Sequence, residues 1–309
     1  MKEKLSNIGG RMYNRSGHPA RSKSPLAVLG GAANPIPLGG EPQMNKIERF
    51  VACALFLTSA LWAPASSFAQ SPFDGTWRTN MAQSKLSPKP NVFYLSQGWY
   101  HCTSCNPQID VQADGQDQAV TGQSYDTISV REVDPKSIAI TTRKGGKTVF
   151  EQTRTVSANG KTLTVKTTSH PMNSDQAVVT TVTATLVGIA PSGVHATSGS
   201  WRLNKIQQSD NGLLTTYKTS GDELTMSEPT GESYTAKLDG NDYPVKGAYT
   251  YNTVSLKRMD AHTIEETDKR DGTVIEVSKL TVSSDGKKMT VVATNKLTDR
   301  TSTYIAEKQ

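Results

Sequence analysis

An internal repeat is the feature of this chain that most limits how it can fold. Residues 113–165 align with residues 238–291 almost without gaps, and the motifs VSANGK and VSSDGK occupy matching places in the two copies. Upstream, FDGTWRTN at 73–80 matches TSGSWRLN at 197–204. The period of about 125 residues is the size of a domain and far exceeds the roughly 20–50 residues of a solenoid repeat. We therefore expect two similar domains in tandem.

Each copy has the residue pattern of β-strands. Segments such as TISVREV at 127–133 and TVSLKRM at 253–259 alternate their side chains with a period of two. Asn-Gly at 159–160 and Asp-Gly at 285–286 lie between such segments and are strong hairpin signals. Helical periodicity is missing from the repeats. The sequence predicts an all-β fold of two tandem antiparallel meander barrels, each with about eight to ten strands, because closure removes open sheet edges.

The first 69 residues differ in composition from the repeats. From Met44, a short basic region leads into an apolar run at 50–62 and then into Ser-Phe-Ala at 67–69, which is the pattern of a cleaved signal peptide. We expect a signal peptide at 44–69 and a periplasmic or secreted protein. Residues 1–43 are interpreted as a non-native N-terminal extension or a disordered segment. The alternative is a disordered cytoplasmic tail on an uncleaved anchor.

The net charge of +6 comes mainly from this leader. The chain has 34 Lys and Arg against 28 Asp and Glu, and residues 1–69 carry eight of the basic and only three of the acidic residues. The charges of the remaining chain nearly balance, and basic stripes with interleaved aromatic residues are missing, so we expect no nucleic-acid partner. No second apolar run is long enough to span a bilayer, which predicts no membrane span in the mature chain.

Gly75-Thr76-Trp77 and Gly199-Ser200-Trp201 open the two copies. They resemble the Gly-x-Trp motif that opens lipocalins and other calycin barrels. The blocks GTWRTNMAQSK, DGNDYPVKG, TIEETDKRDG and TVSSDGKKMTV also resemble a group of secreted bacterial lipocalin-like proteins, some of which have two copies. The resemblance covers residues 73–309.

The resemblance implies a barrel-core role for the motif residues. They are Gly75, Trp77, Gly199 and Trp201. In calycins an Arg or Lys on the last strand covers the tryptophan; Arg300 and Lys308 are the candidates in copy two, whereas copy one ends without a basic residue. Both tryptophans are interpreted as core, with a place in a ligand pocket as the alternative.

The repeat and its joint suggest where the domains begin and end. We expect the first barrel at 70–187, a linker at 188–198 and the second barrel at 199–309. The sequence GIAPSGVHATSG at 188–199, which contains this linker, is rich in small residues, which is typical of a flexible joint.

The stretch WYHCTSCNP contains a Cys-x-x-Cys motif. Aligning the copies places Cys102 and Cys105 opposite residues 227–230, a turn by composition. In an exported protein this predicts a disulfide. A soft metal ion such as Cu(I) on His101, Cys102 and Cys105 is an alternative, and thiol redox chemistry is another. Cys-x-x-Cys-His for haem and a second Cys/His pair for zinc are missing, so we expect no cofactor.

The repeats contain no recognisable catalytic constellation. Glu265 and Glu266 are adjacent, and adjacent strand residues face opposite sides, so they cannot act together on one substrate. Either carboxylate is interpreted as a solvent-facing or barrel-rim charge. The sequence therefore predicts a protein that is not an enzyme.

Aromatic residues around the expected barrel mouth favour a small apolar ligand. Four of them are candidate ligand-binding residues: Trp99, Tyr100, Tyr234 and Tyr249. The leading hypothesis is a carrier or sensor of a small apolar molecule held in one or both barrels. One alternative is an envelope protein whose barrels are filled by side chains and which acts through its surface. The other is a copper carrier.

Overall fold

The computed structural model describes residues 71–189 and 192–309, so the expected leader and signal peptide lie outside the described residues. The strands of the first half are β1 (Gly75–Thr79), β2 (Asn91–Ser96), β3 (Trp99–Cys102), β4 (Ile109–Gln112), β5 (Gln118–Ala119), β6 (Thr127–Asp134), β7 (Ser137–Lys144), β8 (Lys147–Val156), β9 (Thr162–Ser169) and β10 (Val178–Leu186). Those of the second half are β11 (Gly199–Gln208), β12 (Leu214–Ser220), β13 (Glu223–Ser227), β14 (Ser233–Lys237), β15 (Asp239–Pro244), β16 (Thr253–Arg258), β17 (Thr263–Arg270), β18 (Thr273–Val282), β19 (Lys288–Asn295) and β20 (Arg300–Lys308). One 3₁₀ turn, Asp210–Gly212, is the only helical element of the described residues.

The twenty strands form two ten-stranded antiparallel sheets that are nearly closed. Barrel I has the order β4-β3-β2-β11-β10-β9-β8-β7-β6-β5, and barrel II has the order β14-β13-β12-β1-β20-β19-β18-β17-β16-β15. Isolated bridges approach closure in each, between Asp114 and Arg131 in barrel I and between Ser233 and Lys246 in barrel II. The expected all-β fold of two antiparallel barrels is confirmed.

The first strand of each repeat lies in the barrel of the other repeat. Strand β1 pairs with β12 and β20, where Trp77 lies opposite Thr215 and Lys308. Strand β11 pairs with β10 and β2, where Trp201 lies opposite Leu186 and Asn91. The barrels are therefore not the segments 70–187 and 199–309 expected from the repeat. Barrel I is the contiguous segment 91–208, and barrel II combines residues 214–309 with β1.

The expected linker at 188–198 is also revised, because this segment joins two neighbouring strands of barrel I. It returns the chain from β10 to β11, and its C-terminal part is buried, with Thr197 and Ser198 at 0% and 1% exposure. The His195 amide donates to the Leu95 carbonyl at 2.9 Å, which ties the segment to β2. The chain passes between the barrels at 80–90 and 209–213 instead.

The two motif tryptophans are the largest fully buried side chains, each 1% exposed. In both barrels the indole Nε1–H donates to the carbonyl four residues earlier, at 2.7 Å for Trp77 and Phe73 and at 2.9 Å for Trp201 and Thr197. Each barrel thus buries a tryptophan whose only polar group is satisfied, as a low-dielectric interior requires.

The motif glycines are required by backbone angle and by space. Gly75 and Gly199 have φ of +123° and +146°, which L-residues with a Cβ rarely adopt. A Cβ on Gly75 would lie 2.7 Å from Lys308 Cε, and one on Gly199 would lie 2.7 Å from Leu186 Cδ1. Lys308 also places its Nζ 5.2 Å from the Trp77 ring centroid. The basic cover expected within copy two is therefore Lys308, but it covers the tryptophan of copy one, because β1 lies beside β20. Leu186 occupies the corresponding place in barrel I.

Candidate functional site

Barrel I encloses a cavity of about 450 Å³. Its walls are mainly apolar side chains from the inner face of four strands. They are Phe93 of β2, Leu163 and Val165 of β9, Val182 and Ala184 of β10, and Trp201 and Leu203 of β11. The lining also contains two arginines, Arg154 and Arg300, and no Asp or Glu. The volume lies within the range of small-molecule sites in proteins, roughly 300–1,000 Å³.

The mouth of the cavity lies between the two barrels. The β19–β20 turn of barrel II contributes Leu297, and Asn106 of barrel I donates its side-chain Nδ2 to the Leu297 carbonyl. Arg300 donates from Nη2 to the Pro90 carbonyl at 2.7 Å. A second depression of about 370 Å³ shares six lining residues with the cavity, so the interior is continuous with the surface at this point.

The cysteine motif borders this mouth. Cys102 and Cys105 form a disulfide in the turn between β3 and β4, and both line the cavity. His101 lies on the opposite face of β3, where its Nδ1 lies 2.5 Å from Asp110 Oδ1. The three residues proposed for a copper site therefore do not converge. The disulfide instead shapes the wall of the entrance.

Arg154, on β8, is the polar centre of the interior of barrel I. Its Nε donates to Gln152 Oε1 at 2.6 Å and its Nη1 donates to Tyr100 Oη at 2.9 Å. The guanidinium carbon lies 4.3 Å from the Phe93 ring centroid, which is a close cation–π contact. None of the described Asp or Glu side chains forms an ion pair with it.

A smaller space of about 180 Å³ adjoins the main cavity. It shares Arg154, Gln152, Cys105 and Thr167 with the main cavity and is otherwise lined by core side chains. Tyr125 lines this space. Burial, with a smaller contribution from Tyr100, raises the pKa of Tyr125 to about 12. Arg154 therefore lines two adjoining spaces of one interior.

The equivalent positions in barrel II are occupied differently. Val182 pairs with Val165 in barrel I, and Tyr304 pairs with Val291 at the matching place in barrel II. The repeat alignment also places Leu280 where barrel I has Arg154. Barrel II thus has a large aromatic side chain where barrel I has open space, and it has a buried leucine where barrel I has a charge.

Acidic side chains enter the interior of barrel II. Glu266 and Asp268 lie on the face of β17 that also carries the core residue Ile264, whereas the repeat alignment gives Ile140 and Thr142 in copy one. The interpretation of Glu266 as a solvent-facing or rim charge is therefore wrong. The period-two alternation from a buried isoleucine indicated an inward direction.

Burial perturbs these carboxyl groups. It raises the pKa of Glu266 to about 7, although the Tyr234 hydroxyl donates to Glu266 Oε2 at 2.6 Å and opposes the shift. Burial, and next the neighbouring Glu266, raises the pKa of Asp268 to about 9. Burial also raises the pKa of Glu276 on the adjacent strand. Barrel II therefore buries carboxyl groups that favour their neutral form, whereas the cavity of barrel I is lined by arginines and, among the described residues, by no carboxyl group.

The four aromatic candidates are distributed over different environments. Trp99 is 43% exposed and lies outside the cavity. Tyr100 is buried, lines the smaller space and contacts Arg154. Tyr234 is buried in barrel II. Tyr249 lines a space of about 310 Å³ shared by residues of both barrels and packs edge-on against Phe150, with centroids 5.2 Å apart.

Sequence reasoning passed over Arg154 and did not separate the two interiors. Arg154 lies two residues before the core residue Val156 on the same strand, so strand alternation is the signal that identifies an inward arginine. Trp201 is a buried core residue and also lines the cavity of barrel I. The core role and the place beside a pocket, given above as alternatives, therefore both apply to it.

Comparison with protein-family models, curated proteins and solved structures finds no match to this chain. Within residues 71–189 and 192–309, no helix has the length and apolar character needed to cross a membrane. In the same described ranges, no three His, Cys, Asp or Glu side chains are grouped so that they could hold a metal ion.

Proposed function

We propose that this chain is a periplasmic or secreted, lipocalin-like binding protein that holds one small, mainly apolar molecule inside barrel I. The observation that carries the proposal is the cavity of about 450 Å³ behind Val182 and Trp201. The proposed location rests on the signal-peptide pattern at 44–69, and the lipocalin-like assignment rests on the Gly-x-Trp motifs and the repeat blocks. The proposed role is non-catalytic because the repeats offer no catalytic constellation.

A cavity of this size is larger than ordinary packing defects. Protein interiors are close-packed, and most voids are no larger than a water molecule. At the equivalent position barrel II carries the larger side chain of Tyr304, so the small Val182 in barrel I is not a requirement of the barrel. Apolar walls that include a limited number of polar groups are the usual composition of a small-molecule site.

In this proposal barrel II covers the mouth of the cavity in barrel I. Its β19–β20 turn lines the mouth through Leu297, Thr298 and Arg300. Its own interior adds buried tyrosines and carboxyl groups to an apolar core, and this feature supports different roles for the two copies.

A fluorescence titration with the neutral apolar dye N-phenyl-1-naphthylamine tests the proposal. The wild-type chain should bind one equivalent. Val182→Tyr, which introduces the side chain that barrel II carries at the same place, should weaken binding by at least about tenfold, or about 1.4 kcal/mol. The matched control is Val179→Tyr, because Val179 lies on the same strand and is 37% exposed on the outer face.

The control variant should bind the dye as the wild type does. Circular dichroism establishes that both variants are folded. If the wild type does not bind the dye, or if Val182→Tyr binds it as well as the wild type does, the cavity of barrel I is not a binding site.

A further inference from the structure

The guanidinium of Arg154 has more hydrogen-bond donors than the protein uses. A guanidinium group offers five N–H donors. Two of them are satisfied, by Gln152 Oε1 at 2.6 Å and by Tyr100 Oη at 2.9 Å. Among the described residues the Nη2 group forms no hydrogen bond to protein, and it is not one of the buried atoms without a partner. Its donors therefore face the open space of the interior.

The charge of Arg154 is not required by the fold. The equivalent side chain in barrel II is Leu280, which is 2% exposed and packs in the core. A charged group in an apolar interior costs several kcal/mol unless a counter-charge is present. In barrel I that counter-charge is not supplied by any described carboxylate, and the lining contains no Asp or Glu.

Phe93 restricts how a partner can approach the guanidinium. The Phe93 ring covers one face of the group, with its centroid 4.3 Å from the guanidinium carbon. The unsatisfied N–H donors lie in the plane of the group. A carboxylate binds a guanidinium in that plane through two parallel hydrogen bonds, which is the strongest arrangement for the pair.

A second cation lies at the mouth. Arg300 lines the same cavity, and its buried Nε has no hydrogen-bond partner among the described residues. Two arginines without a lining carboxylate give the cavity a positive potential, and apolar walls of low dielectric constant concentrate that potential. Such a cavity favours anions and disfavours cations.

We infer that the ligand of barrel I is an amphipathic organic anion, in which an aliphatic chain lies against the apolar walls and a terminal carboxylate binds Arg154. The inference rests on the proposed function, since it names the chemical class that the same cavity binds. A cavity of about 450 Å³ accommodates about fifteen non-hydrogen atoms at roughly 30 Å³ for a water-sized group. A twelve-carbon acid has this size.

Calorimetric titration of the full chain with three twelve-carbon compounds tests the inference. Dodecanoate, dodecan-1-ol and dodecylamine have the same chain and differ in the charge of the head group. Dodecanoate should bind at least about tenfold more tightly than the alcohol, because hydrogen bonds to charged groups are stronger than neutral ones. The amine should bind more weakly than the alcohol. This comparison requires no variant.

Arg154→Met then removes the charge and keeps an unbranched, flexible side chain. It should abolish the preference for the acid over the alcohol and leave the affinity for the alcohol within about threefold of the wild-type value. The matched control is Arg202→Met, since Arg202 is an exposed residue of β11 beside Trp201. The control should keep the full preference for the acid.

The possible results separate this inference from the proposed function. If the wild type binds dodecan-1-ol as tightly as dodecanoate, the anionic ligand class is refuted and the binding cavity stands. If the preference for the acid survives Arg154→Met, Arg154 does not bind the carboxylate. If none of the three compounds and no neutral dye binds, the proposed function itself fails.

Discussion

Replacing Glu266 with glutamine should stabilise the folded chain at pH 8 and leave its stability at pH 4 nearly unchanged. Glu266 lies inside barrel II and accepts a hydrogen bond from the Tyr234 hydroxyl at 2.6 Å. Glutamine has nearly the same shape and keeps a carbonyl oxygen for that hydrogen bond. The substitution therefore removes the ionisable group with little change in packing.

The magnitude follows from the shift of the pKa. Burial raises the pKa of Glu266 from 4.5 to about 7, so the folded chain holds the proton more tightly than the unfolded chain does. Stability therefore decreases as the pH rises from the unfolded to the folded pKa value, and the full loss is present above pH 7. At 1.36 kcal/mol per pKa unit, ionisation of Glu266 lowers the free energy of unfolding by at most about 3 kcal/mol. Glutamine, which does not ionise, avoids this loss.

Urea unfolding of the wild type and the variant at pH 4, 6 and 8, followed by circular dichroism, measures the effect. The gain should grow with pH and reach roughly 1–3 kcal/mol at pH 8. Glu265→Gln is the matched control, because strand alternation places Glu265 on the outer face of β17. An equal effect of Glu266→Gln at pH 4 and pH 8, or a loss of stability at pH 8, would refute the assignment of a buried carboxyl group that ionises at a cost.

Three further predictions concern the fold. Thiol titration of the native chain should find no free sulfhydryl at Cys102 or Cys105, and replacing both cysteines should cost at most about 2 kcal/mol in urea unfolding, because the closed loop is short. The fragment 91–208 should fold alone by near-UV circular dichroism, whereas 209–309 should be unfolded because it lacks β1 and its buried tryptophan; an ordered 209–309 fragment would count against the shared-strand barrel. Gly199→Ala should lower the free energy of unfolding by about 1–3 kcal/mol, since its Cβ meets Leu186 Cδ1 at 2.7 Å and its φ is +146°; an unchanged urea midpoint would contradict this.

The class of fold and the turn positions could be predicted because they depend on local patterns. The period-two alternation in each copy predicted strands, and the Asn-Gly and Asp-Gly pairs predicted hairpins that the structure contains between β8 and β9 and between β18 and β19. Aligning the copies also predicted that the cysteine motif lies in a turn, and it lies between β3 and β4. These features require only neighbours in sequence or the matching residue of the other copy.

The position of β1 could not be predicted in the same way. Strands β1 and β11 carry the same Gly-x-Trp motif, so either barrel offers a suitable place to either strand. Pairing of β1 with β20 joins residues more than two hundred positions apart. Local residue patterns carry no information about which distant strand will be the partner. The polar side chains inside the barrels were difficult to predict for a related reason. Only the alternation of side chains along a strand indicates that Arg154 and Glu266 face the interior. A charged residue considered by itself is expected at the surface.

Native mass spectrometry of the full chain purified from its own source, without denaturation, tests the central claim most directly. We predict that the wild-type chain carries one small organic molecule, which collisional activation releases, and that Val182→Tyr prepared in the same way carries none. The Val179→Tyr control should retain it. The claim that barrel I is a ligand-binding compartment would be contradicted by two results together. The wild-type chain would show only the mass of the protein without a ligand, and it would not bind N-phenyl-1-naphthylamine in solution.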